Sequence, residues 1–117
     1  MTPQHIQRKR TRGWKMPEGA IYVGRPSRWG NHFEVKQLID HWIVIHDNKA
    51  IYESESKRNA AQFAVDRFRE WVNSLGGQDL ADYLVWLDGH DLACWCALDM
   101  PCHADVWLEL ANKEATR

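Results

Sequence analysis

The chain has 117 residues, 44% of them hydrophobic and 26% charged. That is one domain's worth of sequence with apolar side chains enough for a single core, and it excludes a disordered or collagen-like chain. No apolar run approaches the roughly 18 residues of a membrane helix, and none follows the basic start as in a signal peptide, so a cytoplasmic setting and no membrane partner are expected. The net charge of −1 conceals an asymmetry. Residues 1–28 hold seven Lys and Arg side chains against Glu18 alone, while the remainder holds eight against fifteen acidic ones. Anions are therefore expected at the first quarter of the chain.

Residues 1–12 read as a flexible basic tail, because Arg8-Lys9-Arg10-Thr11-Arg12 has no apolar partner to bury. It is a candidate nucleic-acid contact. Residues 13–117 then form the single domain. Ala20–Gly24 is short, β-branched and aromatic between Pro and Gly punctuation, which predicts a first strand. Trp42–His46 and Lys49–Tyr52 flank Asp47-Asn48, which predicts a hairpin. Ser54 or Ser56 caps a helix whose apolar residues recur from Ala60 to Leu75, and Gly76-Gly77 ends it. Asp79 opens a shorter helix closed by Gly89. Asp91–Cys96 is apolar on both faces, as a central buried strand is. Pro101 lies just inside the start of a last helix. The expected fold is α/β: a small mixed, partly parallel sheet with helices packed on it. If the first strand and 91–96 are parallel neighbours, their carboxyl ends form a Rossmann-like edge where ligands bind.

The loops leaving those two strands carry the unusual residues. The first is Gly24-Arg25-Pro26-Ser27-Arg28-Trp29-Gly30-Asn31. Gly24 and Gly30 allow close backbone approach. Arg25 and Arg28 offer planar donors suited to phosphate, Trp29 a stacking face, and Asn31 a donor–acceptor pair. With Ser27 they make a candidate nucleotide cradle, although Trp29 is as well explained by the core. The order of these residues matches neither the phosphate loop nor the dinucleotide glycine fingerprint. His32 follows and could line the same cleft.

The second loop holds all three cysteines, at Cys94, Cys96 and Cys102, with His103 beside the last. Cys94 and Cys96 are two apart on a strand, so their thiols share one side and Trp95 takes the other. Cys102 falls at a helix start, where backbone N–H groups favour a thiolate. Three readings compete: a metal site using the three cysteines with or without His103, a reactive site with Cys102 and His103, and small core residues. The spacing is not that of a zinc ribbon, and adjacent Cys and His rarely share an ion. The adopted assignment is catalytic, Cys102 as nucleophile with His103 as base, without metal or cofactor. Asp99 or Asp105 could orient His103.

Ile21–Phe33, Asp91–Cys96 and Cys102–Asn112 together resemble a family of small phage and bacterial proteins known as a domain of unknown function. A Trp-Gly-Asn-Pro-Phe box and a late Cys-Trp-Cys…Cys-His box mark it. This chain departs at His32, where the family usually has Pro. The resemblance implies a single domain, often phage-encoded, whose two boxes form the functional surface, and it implies no reaction. The residues point to a cleft between Arg25–Asn31 and Cys102-His103 that binds a nucleotide-like anion, with hydrolase or transferase chemistry on it left open. The alternatives are a phage-encoded binder that sequesters a nucleotide signal without turnover, and a metal-containing nucleic-acid module.

Overall fold

The computed structural model describes residues 2–112. It is a mixed α/β fold with two small sheets and three helices. One sheet is wholly parallel, in the order β1-β6-β2, from His5–Gln7, Leu92–Cys94 and Ile21–Tyr22. The other is antiparallel, β3-β4-β5, from Glu34–Gln37, Trp42–His46 and Lys49–Ser54. The parallel and antiparallel strands expected in one mixed sheet are thus divided between two. Helices α1 (Lys57–Asn73), α2 (Gly77–Leu84) and α3 (His103–Ala111) follow in chain order around them.

The parallel sheet is built around β6. All three of its residues are buried, so water cannot satisfy its backbone and both edges need a partner. β2 takes one edge and runs parallel, as the sheet-edge argument requires. β1 takes the other, pairing His5, Ile6 and Gln7 with Leu92, Ala93 and Cys94. Residues 5–8 are therefore not part of a free arm. Leu92 N donates to Gln4 O at 3.0 Å and Arg8 N to Cys94 O at 2.8 Å, so the demands of β6 draw His5-Ile6-Gln7 into the sheet.

The hairpin forms where expected. Asp47 and Asn48 take φ of 52° and 63°, the two left-handed positions that a two-residue turn between twisted strands needs. Ser56 caps α1, its Oγ accepting from Asn59 N at 3.1 Å. One face of α1 buries Ala60, Ala64, Val65, Phe68 and Val72. α1 ends at Asn73, before the glycine pair, and Ser74 closes it. Gly76 instead caps α2, which places Asp79 inside the first turn. Cys102 is extended, with φ −148°, so α3 begins after it and Pro101 lies outside the helix. Trp107 of α3 is fully buried at the centre of the core. It stacks on Tyr83 at 5.6 Å and meets Phe68 edge-on at 5.4 Å.

Candidate ligand site and cysteine cluster

The carboxyl ends of β2 and β6 lie side by side, and the start of α3 faces them. Between them opens a cavity of about 470 Å³. Gly24 and Arg25 leave β2 into its wall, Cys94 to Ala97 leave β6, and Cys102 and His103 close it. Lys57 and Ala61 of α1 form the far side.

The first loop divides. Gly24, Arg25 and Asn31 line the cavity; Ser27, Arg28, Trp29 and Gly30 do not. Gly24 is required by close approach, since a Cβ there would lie 2.5 Å from Tyr22 Oη, which donates to Arg25 O at 2.7 Å. Gly30 packs against Arg25 in the same way, a Cβ meeting its Cγ at 2.9 Å. Arg25 is half exposed and pairs with Glu34 at 3.2 Å. Asn31 is buried, and both ends of its amide are engaged: Nδ2 donates to Ala64 O and Oδ1 accepts from Phe33 N. Trp29 is packed against the core, its Nε1 donating to Tyr83 O and its own carbonyl accepting from Trp107 Nε1, both at 2.8 Å. Arg28 lies over the Tyr83 ring at 4.6 Å. Ser27 Oγ is buried and without a partner among the described residues. His32 is away from the cavity, edge-on to Trp71 at 4.9 Å.

The charge of the basic end arrives by another route. The Arg8 guanidinium sits between two cavity-lining rings, 4.7 Å from the centre of Tyr22 and 4.6 Å from that of Trp95. Arg10 lies 4.4 Å from Trp95. Sequence reasoning missed Arg8, Tyr22 and Lys57 as site residues. The signal for Arg8 was the doubly apolar β6, which implied a second edge strand.

The second loop gathers as a unit. Sγ of Cys94 and Sγ of Cys96 are 3.7 Å apart, and all three sulfurs lie within 4.8 Å of one another. Cys94 and Cys102 are buried and Cys96 half-buried, and none of the three is in a disulfide. Hydrogen bonds from Cys102 and then Cys96 hold the Cys94 thiol well below its ordinary value. Bonds to Cys94 and then Cys96, burial, and the charges of Cys96 and Cys94 push Cys102 far up. Cys96 is drawn down by Cys102 but raised on balance by its bond to Cys94 and by burial. The lowered value thus falls at Cys94 rather than at Cys102, where the helix start led the thiolate to be expected. His103 is 5% exposed, and burial lowers its pKa. Its Nε2 donates to Val23 O at 2.7 Å, and its Nδ1 is 3.8 Å from Cys102 Sγ. The main-chain carbonyl of Val23, not Asp99 or Asp105, orients the ring; Asp105 lies 3.6 Å from His5 instead.

Residues 6–113 match the family described as Domain of unknown function (DUF4326). The chain belongs to the DUF4326 family. No curated protein and no solved structure matches it. The DUF4326 match begins inside β1, so Ile6 and Gln7 of the strand that pairs with β6 fall within the family's domain. Among the described residues no helix is long and apolar enough to cross a membrane.

Proposed function

We propose that the cavity binds a small anionic, nucleotide-like ligand. The observation that carries this reading is positive charge beside one opening: Arg25 in its wall, and Arg8 against Tyr22 and Trp95, two of its lining rings. A volume of about 470 Å³ falls within the roughly 300–1,000 Å³ of small-molecule sites. The carboxyl edge of parallel strands is where open α/β sheets take ligands, and the start of α3 adds outward backbone N–H groups. The aromatic role foreseen for Trp29 passes to Tyr22 and Trp95, which line the cavity. The setting is a cytoplasm, where thiols stay reduced, and the family resemblance suggests that of a phage host. Turnover, by cleavage or transfer at a phosphoryl or N-glycosidic bond, is the second reading. It is favoured by the presence of His103 and the cysteines in the same wall, and it separates from pure binding by whether the ligand is recovered unchanged.

Calorimetric titration of nucleoside monophosphates into the full chain tests the site. One binding site per chain is expected. A charge-assisted hydrogen bond contributes roughly 1.5–3 kcal/mol, so Arg25→Ala is expected to weaken binding at least about tenfold. The half-exposed Arg25–Glu34 pair adds little to stability, so Tm stays nearly the same. Absence of binding by the wild type, or equal affinity in Arg25→Ala, would refute the reading.

A further inference from the structure

The anion reading engages the arginines and leaves the three sulfurs without a task. They come from three places in the backbone: the end of β6, the loop beyond it, and the residue capping α3. They are all the cysteines the chain has, and folding brings them together at an opening. Core packing asks only for volume from a thiol and does not ask three sulfurs to share one point. The Cys94–Cys96 separation is that of two sulfurs on one ion, and Cys102 lies near enough to join them. A tetrahedral ion with metal–sulfur bonds of about 2.3 Å sets its sulfurs about 3.8 Å apart. Cys94 and Cys96 are at 3.7 Å, and Cys102 completes the face within 4.8 Å.

We propose that Cys94, Cys96 and Cys102 bind one zinc ion, with the fourth coordination position open to the cavity. Thiolates select zinc over magnesium or calcium. Binding forms three metal–sulfur bonds and releases the thiol protons to solvent, with no electron transferred. Three protein ligands and one open position make up the set used where zinc meets a substrate or water, whereas structural zinc is closed by four. His103 stands outside the three-sulfur group, with Nδ1 3.8 Å from Cys102 Sγ and the ring tied to Val23 O.

The test is elemental analysis of the full chain purified without added metal, followed by cobalt replacement. About one zinc per chain is expected. The cobalt form is expected to show a thiolate-to-cobalt charge-transfer band and the intense visible bands of a tetrahedral ion. Added azide is expected to shift the visible bands through the open position. Cys96 is half-buried, so Cys96→Ser is expected to keep the far-ultraviolet circular dichroism and lose the charge-transfer band. If that variant unfolds, the wild type still decides: a thiol-blocking mercurial is expected to release the zinc to a chromogenic chelator. Reduced wild-type protein that holds no zinc and takes up no cobalt overturns the proposal. So does a full band in folded Cys96→Ser, metal retained after the thiols are blocked, or iron with inorganic sulfide in place of zinc. Visible bands that ignore azide overturn the open position. Arg25→Ala is expected to keep one zinc per chain, so loss of the anion site and loss of the metal site are separate results.

Discussion

Removal of residues 2–8 is expected to destabilise the protein while leaving every large core side chain in place. The segment provides β1, and the bonds flanking its ladder with β6 set a lower bound on its contribution. Gln4 N donates to Asp91 Oδ1 at 2.8 Å, Leu92 N to Gln4 O at 3.0 Å, and Arg8 N to Cys94 O at 2.8 Å. At a net of about 1 kcal/mol each, these bonds amount to about 3 kcal/mol. For a domain of this size that is a fall in Tm on the order of 10 °C. The Arg8 contacts with Tyr22 and Trp95 are lost as well, and each adds roughly 0.5–1 kcal/mol where partly exposed. Thermal melts followed by far-ultraviolet circular dichroism measure the total. Arg8→Ala in the full chain keeps the backbone ladder and isolates the ring contacts, so its Tm is expected to lie between those of the truncated and intact chains. A truncated chain that melts with the wild type would show that β6 does not need its second edge, and the reasoning that folds the basic end onto the cavity would fail.

Trp107→Ala removes a fully buried ring and the donor to Trp29 O, and is expected to cost roughly 3–5 kcal/mol in urea unfolding; a cost below about 1 kcal/mol would place Trp107 outside the core. Partial burial, and then the nearby His46, lower the pKa of His32 below its ordinary 6.5, with Asp47 opposing. Below pH 6.5 the unfolded chain therefore takes up a proton more readily than the folded one, so this histidine's contribution is full above pH 6.5 and is lost as pH falls. His32→Gln is expected to flatten the Tm profile between neutral and mildly acidic pH, and an unchanged profile would contradict the assignment.

The elements with local chemistry are readable in the sequence. Asp47-Asn48 between two β-branched runs specifies the hairpin, and Ser56 before a helical apolar stripe specifies α1, because turn and cap preferences act over a few residues. The doubly apolar Asp91–Cys96 run allows a parallel pairing with β2 without specifying it, and the structure has that pairing. β1 is hidden because His5-Ile6-Gln7 has no pattern of its own; its pairing is imposed by a strand some 90 residues away. β3 is hidden for the same reason, having only Val35 as a part-buried residue. In the candidate site, the meeting of Arg25 with Cys94, Cys96, Cys102 and His103 is readable because both boxes leave adjacent strand ends. The division of the first loop is not. Trp29 goes to the core because Tyr83 O and Trp107 Nε1 complete its hydrogen bonds, and Arg28 follows it onto Tyr83. Those partners come from α2 and α3, which local reading does not bring near.

Mass spectrometry of small molecules released from the purified full chain tests the anionic-ligand cavity most directly. The expected result is a phosphate-bearing nucleotide or close analogue in the wild type, at an amount approaching one per chain, and its depletion from Arg25→Ala purified in parallel. A released molecule without an anionic group, or the same nucleotide at equal yield from both proteins, would contradict the account.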